Sequence, residues 1–203
     1  VIQLAASEPQ QYRIEYLTES NKTGELSLVD VDVVNDLALV KATDLDRKFI
    51  NLAPKEPEIG MPVYALGNPL DLGLTVVPGT YNGINRAGYH PRVHFTGSLN
   101  PGMSGGPTID REGQVVGINV ATAGNQVSFL VPVSRLQSLV AGYKTRGAAI
   151  VNMQAYIGAQ LLADQQEKFS RLLARDWQSI SLGESKVLDE LVPFVKCWGG
   201  SNS

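Results

Sequence analysis

Residues 100–107 read Asn-Pro-Gly-Met-Ser-Gly-Gly-Pro, so that Ser104 is enclosed by glycines. Gly102 before it and the pair Gly105-Gly106 after it permit a tight turn and a close approach by a substrate carbonyl. In such a turn the amides of Gly102 and Ser104 can point at one spot, where each would stabilise an oxyanion by about 3–4 kcal/mol. The pattern favours a nucleophilic serine, and the alternative is an ordinary Gly/Pro loop with a turn serine.

Short strand-like segments lie on both sides of this loop. Apolar and polar residues alternate with period two in most of them, and the apolar run 37–40 predicts a strand buried on both faces. The turn at 110–113 predicts a hairpin. Strands at this regular spacing favour an all-β sandwich or barrel. The predicted strands are 12–17, 26–33, 37–40, 62–67, 75–79, 92–96, 108–110 and 114–120.

Length and composition limit the classes of protein that the chain can represent. Its 203 residues suffice for one large domain or for two barrels of about 100 residues each. A net charge of −3 argues against a general binder of nucleic acid or anionic membranes, which should be more basic. The single cysteine, Cys197, excludes an internal disulfide framework and a Cys-rich zinc site. No apolar run approaches the roughly 20 residues of a membrane-spanning helix.

The pattern changes in the last third of the chain. A short helix is predicted over 135–140 with Ser134 as its cap, and an amphipathic helix from Met153 to about Arg175. A further helix is predicted over Lys186–Phe194. We interpret 151–203 as a helical extension that packs or connects and takes no part in chemistry.

Asp36 is a candidate for the acid of a catalytic triad. It directly precedes the apolar run 37–40, where a carboxylate costs free energy unless it is paired. The acid that orients a general base needs such a position. The alternative is an aspartate at a strand start that accepts hydrogen bonds from backbone amides.

Three stretches, taken in order, resemble the trypsin-like serine peptidases, most closely their bacterial HtrA/Deg branch. They are Asp36-Leu37-Ala38, the Gly67-Asn68-Pro69 turn with the strand at 75–79, and the serine loop followed by Val116-Gly117-Ile118-Asn119. The resemblance covers residues 1–140. It implies a mainly β chain with two Greek-key β-barrels and the active site between them, the first barrel lacking its N-terminal strands. The implied domains are 1–57, 58–150 with a closing helix, and the helical extension 151–203.

The resemblance also implies roles for particular residues. Ser104 matches the nucleophile, Asp36 the triad acid, and Gly102 and Ser104 the oxyanion-hole amides. The edge that pairs with the substrate main chain matches Val120, Ala121 and Thr122. Ser98 and Leu99 match positions near the primary specificity pocket, and because neither is charged we expect an uncharged P1 side chain. No metal or organic cofactor is implied.

The sequence departs from the family pattern in several places. The general-base histidine would stand immediately upstream of Val1, so we expect that a segment before Val1 was removed and that these 203 residues alone are nearly inactive. His90 and His94 fall in the second barrel and are expected to be structural or exposed. Val120 replaces a hydroxyl residue that holds the acid in many members. Residues 151–203 do not resemble the PDZ domain of the HtrA branch.

Two functions therefore compete. The first is a serine endopeptidase that acts on polypeptides through an acyl-enzyme, with no nucleic-acid partner and no membrane span in this segment. The second is a non-catalytic peptide-binding or scaffold protein derived from such a peptidase. The resemblance implies the bacterial periplasm or cell envelope.

Overall fold

The computed structural model describes residues 11–18, 20–45, 49–85, 88–124, 126–189 and 192. Within these residues a three-stranded antiparallel sheet precedes a closed six-stranded barrel, followed by two helices and a hairpin. The sheet has the order β1-β2-β3, from Ile14–Leu17, Thr23–Asp32 and Leu37–Ala42. The barrel strands are β4 Pro62–Gly67, β5 Thr75–Asn85, β6 Arg92–Phe95, β7 Pro107–Ile109, β8 Val115–Gly124 and β9 Val127–Pro132. The remaining elements are α1 Val133–Arg146, α2 Met153–Leu173, β10 Ser179–Leu182 and β11 Ser185–Leu188.

The barrel closes in the order β4-β5-β6-β9-β8-β7, a Greek-key arrangement. Its core follows from the alternation in the sequence, because every second side chain of a strand points inward. On β6, Val93 and Phe95 are fully buried, whereas Arg92 and His94 lie on the other face and are only partly covered. Burying each such apolar side chain contributes about 1.5–3 kcal/mol. The prediction of a mainly β chain containing a Greek-key barrel is confirmed.

Strand β3 departs from its prediction. We expected the run Leu37–Val40 to be buried on both faces, but all four residues are only partly buried. Within the described residues β3 pairs with β2 alone, so it is an edge strand. Because one lateral side of an edge strand has no neighbouring strand, its residues are less covered than those of a central strand.

The segment that connects the sheet to the barrel is attached to the barrel. Val115 of β8 makes two backbone hydrogen bonds to this segment: its amide donates to the Asn51 carbonyl at 2.8 Å, and its carbonyl accepts from the Ala53 amide at 2.9 Å. Gln137 of α1 donates to the Ala53 carbonyl at 2.6 Å. The division into domains at 57/58 and 150/151 stays a prediction.

The two helices confirm the predicted helical segments but not the predicted cap. Helix α1 begins at Val133 after Pro132, and Ser134 makes no capping bond; its amide donates to Glu56 Oε1 at 3.1 Å instead. The cap is wrong because Glu56, distant in sequence, supplies the acceptor for that free amide. Helix α2 is capped by Asn152, whose Oδ1 accepts from the Ala155 amide at 3.0 Å.

The predicted helix over Lys186–Phe194 is wrong where the structure describes it, because Lys186–Leu188 lie in strand β11. The two-residue turn Gly183-Glu184 joins β10 to β11, and Gly183 has a φ of +61°. A glycine at a positive φ in a two-residue turn directs the chain back as a hairpin, against helical continuation. Cys197 and the end of that predicted helix lie outside the described residues.

Both helices contact β2 and the residue that follows it through hydrogen bonds and an ion pair. Gln160 of α2 donates from Nε2 to the Val31 carbonyl at 2.8 Å and accepts at Oε1 from the Val33 amide at 2.9 Å. Arg146 at the end of α1 pairs with the buried carboxylate of Asp30 at 2.7 Å. Helix α2 therefore contacts the sheet through a polar side chain that bonds to its backbone, and α1 contacts it through an ion pair with a buried carboxylate.

Tyr81 gives the barrel a predicted pH dependence. Its ring is buried and its hydroxyl donates to Glu56 Oε2 at 2.8 Å. Burial, with this acceptor, raises the pKa of Tyr81 above its ordinary value. As the pH rises, the tyrosine hydroxyl therefore loses its proton in the unfolded chain before it does so in the folded protein. The contribution of Tyr81 to the free energy of unfolding is fully present below about pH 10 and falls by about 1.4 kcal/mol per pH unit above it. Urea unfolding between pH 8 and 11 should show this slope, and Tyr81→Phe should remove most of it; an unchanged slope would contradict the assignment.

Candidate active site

The loop that carries Ser104 is built on glycines that no other residue can replace without strain. Gly102 and Gly105 have φ values of +97° and +83°, in the left-handed region. A Cβ at Gly102 would overlap the Asn68 carbonyl oxygen, because the Gly67-Asn68-Pro69 turn packs directly against this loop. The Gly67-Asn68-Pro69 turn and the serine loop, which are separate motifs in the sequence, are thus in contact.

Backbone hydrogen bonds set the direction of the peptide groups in this loop. The Pro101 carbonyl accepts from the Leu70 amide at 3.3 Å, and the Met103 carbonyl accepts from the Gly106 amide at 3.1 Å. All described peptide bonds are trans, so each N–H points opposite to the carbonyl of its own peptide group. The amides of Gly102 and Ser104 therefore point away from the groups that hold the Pro101 and Met103 carbonyls.

Ser104 is exposed at the end of this loop. Its hydroxyl makes a long hydrogen bond of 3.4 Å to the Val120 carbonyl. The methionine before it is fully buried. The loop thus places a hydroxyl at the surface while anchoring its neighbour in the barrel core.

In the described part of the chain, one edge of strand β8 has no strand partner next to Ser104. Strand β7 pairs with β8 only as far as Ile118. One further residue of β8 is paired, because the Asn119 amide donates to the Gly106 carbonyl and the Asn119 carbonyl accepts from the Gly105 amide. From Val120 to Gly124, β9 is the strand that pairs with β8 within the described residues. Val120 sits at a register shift between β8 and β9, a bulge of the kind that re-aims strands beside active sites.

Asp36 lies at the rim of a cavity that reaches the serine loop. The cavity has a volume of about 770 Å³, and both Asp36 and Gly105 line it. Asp36 is exposed and has a φ of +61°, which aspartate tolerates better than most residues. Asp32 shapes the turn that precedes it by accepting two bonds from Asn35, at 3.0 and 2.7 Å.

Apolar side chains from several elements complete this cavity. They come from the sheet, the connecting segment, β8, α1 and α2, and include Leu37, Leu52, Ile118, Leu136, Ile157 and Leu161. The structure thus brings the predicted acid and the residue after the predicted nucleophile onto one concave surface.

The two predicted pocket residues differ in their surroundings. Ser98 is exposed, whereas the Leu99 side chain packs in the barrel core. The Leu99 amide donates to the buried hydroxyl of Ser128 at 3.2 Å. Their assignment to a specificity pocket stays a prediction.

Neither His90 nor His94 lines the cavity shared by Asp36 and Gly105. His90 stacks edge-to-face on Tyr89, with ring centroids 4.8 Å apart. Burial and then the charge of Lys168 lower the pKa of His90. His94 Nε2 is buried and has no hydrogen-bond partner in the described part of the chain.

Sequence reasoning missed Asn119 as a site residue. It was read as the end of a strand motif, yet its buried side chain bonds to the serine loop, donating to the Met103 carbonyl at 3.1 Å. The sequence did contain a signal for this role, because an asparagine that ends an apolar strand needs buried hydrogen-bond partners.

Within the described residues, no helix is long and apolar enough to cross a bilayer.

The fold corresponds to a known class of protein. A family model described as "Trypsin-like peptidase domain" matches residues 1–118, more than half of the chain. The chain therefore belongs to the trypsin-like peptidase domain family. Proteins named "Serine protease HtrA-like" from Staphylococcus aureus are 30% identical over 152 residues, which cover 63% of this chain and 19% of theirs. The chain spans about a fifth of the length of these relatives.

Solved structures agree with this placement. The serine endoprotease from Yersinia pestis has a TM-score of 0.59 and 27% identity, covering 67% of this chain and 50% of its own. An HtrA-type protease solved with a tripeptide has a TM-score of 0.60 at 23% identity, covering 67% of this chain and 49% of its own, and shows the shared fold. Within the family, the chain is similar in sequence to proteins named as HtrA-like serine proteases.

Proposed function

We propose that this protein is a serine endopeptidase that cleaves polypeptides through an acyl-enzyme, with Ser104 as nucleophile and Asp36 as the acid of its triad. The observation that supports the proposal is an exposed hydroxyl on a glycine loop beside the edge of β8, where the next residue, Gly105, lines the same cavity as the Asp36 carboxylate. The family membership supports the same reaction class.

In this mechanism the Ser104 hydroxyl attacks the scissile carbonyl while a histidine takes its proton. The same histidine then returns the proton to the leaving amine, and water repeats the sequence to release the acid. The amides of Gly102 and Ser104 stabilise the oxyanion in both halves. Asp36 holds the histidine in the required tautomer and stabilises its charged form.

The general base in this proposal is a histidine other than His90 and His94. Neither of these lines the cavity between Asp36 and the serine loop, where an imidazole would need to sit. By its match to the family pattern, the base stands immediately before Val1. The 203 residues alone should then retain only the residual catalysis of the oxyanion hole and substrate binding.

Substrate binds, in this proposal, as an added strand along β8. The edge from Val120 to Thr122 lies directly beyond the pairing with β7 and begins at the carbonyl that accepts from Ser104. Main-chain hydrogen bonds along such an edge supply affinity without reading sequence. Ser98 and Leu99 would leave the pocket for the P1 side chain uncharged. We further propose that the protein works in the bacterial periplasm or cell envelope, by analogy with its branch.

A fluorophosphonate probe tests the nucleophile directly. We expect the protein with its natural upstream sequence to be labelled stoichiometrically at Ser104, and Ser104→Ala not at all. Ser138→Ala, which alters an exposed serine of helix α1, should be labelled normally. The 203-residue chain should react far more slowly.

The outcomes separate the two candidate functions. Absence of labelling in the longer protein would contradict the peptidase. If that protein still bound extended peptides, and a proline at the β8 edge abolished the binding, the non-catalytic peptide-binding alternative would stand. An encoded residue other than histidine before Val1 would contradict the placement of the base.

A further inference from the structure

Every polar group of Asn119 is hydrogen-bonded, and its Nδ2, its backbone amide and its carbonyl bond to the serine loop. Its Nδ2 donates to the Leu66 carbonyl at 3.0 Å and to the Met103 carbonyl at 3.1 Å. Its Oδ1 accepts from the Thr108 hydroxyl at 2.7 Å. Its backbone amide donates to the Gly106 carbonyl at 2.9 Å, and its carbonyl accepts from the Gly105 amide at 2.8 Å. The residue is fully buried, so water does not compete for any of these bonds.

The orientation of this side-chain amide is dictated by its partners. Two carbonyl oxygens face one end of the amide, and they accept hydrogen bonds but cannot donate them. The NH₂ must therefore face Leu66 and Met103, and the oxygen must face Thr108. Thr108 is itself fully buried, and its hydroxyl stabilises this orientation by donating to Oδ1.

The bond to Met103 bears on the nucleophile through one peptide group. The Met103 carbonyl and the Ser104 amide belong to the same trans peptide and point in opposite directions. Asn119 holds the carbonyl toward the barrel interior, so the Ser104 N–H is directed outward, on the side of its exposed hydroxyl. A rotation of this peptide would turn the N–H inward and leave a carbonyl oxygen where the oxyanion forms.

We propose that Asn119, oriented by Thr108, is a positioning residue for the oxyanion hole, because its side-chain amide fixes the direction of the Ser104 N–H. This proposal rests on the proposed function. It goes further by assigning transition-state stabilisation to a buried pair that does not touch the substrate. A side chain serving only to fill this part of the core would be apolar, since each buried polar group must be satisfied at a cost.

The test uses the protein with its natural upstream sequence and a chromogenic peptide substrate. Asn119→Asp keeps the shape but removes both donors, and we expect kcat to fall about 100-fold or more while KM changes less than threefold. The matched control is Asn82→Asp on β5, which also removes a donor to a backbone carbonyl but far from the loop in sequence. It should leave kcat within twofold.

A second pair of variants keeps the test decisive if Asn119→Asp does not fold. Thr108→Val removes the hydroxyl that orients the amide and should lower kcat about tenfold, the effect of one neutral hydrogen bond. Thr108→Ser restores the hydroxyl and should recover most of kcat. Unchanged kcat in a folded Asn119→Asp, or a loss in Thr108→Val that serine does not rescue, overturns the proposal.

An independent readout separates this proposal from the peptidase itself. In ¹⁵N-labelled protein, Thr108→Val should shift the Ser104 amide resonance, and Asn82→Asp should leave it in place. A wild type that is inert to fluorophosphonate contradicts the proposed function. A Ser104 amide resonance that Thr108→Val does not move contradicts positioning by Asn119, whether or not the protein is active.

Discussion

Replacing Asp36 with asparagine should lower kcat/KM about 10⁴-fold in the protein that carries its upstream segment, with little loss of stability. Asparagine presents an amide where the base needs a carboxylate, so the imidazole is held in the wrong tautomer and its charged form is not stabilised. Asp36 is exposed, and asparagine tolerates its φ of +61° equally well, so the fold should not suffer. Steady-state kinetics with the chromogenic peptide and urea unfolding measure the two effects.

A control variant with the same change of charge distinguishes orientation of the base by Asp36 from the loss of one negative surface charge. Asp44→Asn also removes one surface carboxylate, which pairs with Tyr16 and Lys22 beside the first sheet. It should change kcat/KM less than threefold. A loss in Asp36→Asn of less than tenfold would mean that this carboxylate does not orient the base, and the triad assignment would fail.

Replacing Gly106 with alanine should destabilise the barrel by about 3 kcal/mol and abolish labelling of Ser104. The added Cβ would overlap the Leu66 carbonyl oxygen and would come within 3.1 Å of the Met103 carbonyl oxygen. Both are backbone atoms held by Asn119, so neither can move without breaking its hydrogen bonds. Urea unfolding and the rate of fluorophosphonate labelling measure the change.

The same substitution in helix α1 provides the control. A Cβ at Gly142 meets only open space, and alanine in an exposed helical position should stabilise the protein by about 0.5–1 kcal/mol. The two variants should therefore shift the unfolding midpoint in opposite directions. Equal midpoints would show that the loop relaxes around the new methyl group, against the tight packing described above.

The strands and the serine loop could be predicted because their signals are local. Period-two alternation and short apolar runs are properties of neighbouring residues, and the predicted strands overlap eight of the nine strands of the sheet and barrel in the described part of the chain. Strand β9, Val127–Pro132, was not predicted. The hairpin at 110–113 likewise follows from its own turn, with the Gly113 amide donating to the Asp110 carbonyl at 3.2 Å. The helix predicted over Lys186–Phe194 is wrong in its described part, Lys186–Leu188, because the two-residue turn that begins at Gly183 directs this part into a hairpin.

The sequence by itself determined the class of fold, the order of its motifs and the residue types that chemistry requires at Ser104 and Asp36. Only the tertiary structure decided that Asp36 and Gly105 share a cavity, that β8 continues beyond β7, and that Asn119 holds the Met103 carbonyl. The physical reason is that secondary-structure propensity and hydrophobic periodicity depend on residues that are close together in the sequence. A hydrogen bond such as that of Asn119 to Leu66, 53 residues apart, forms only once barrel closure has brought the strands together.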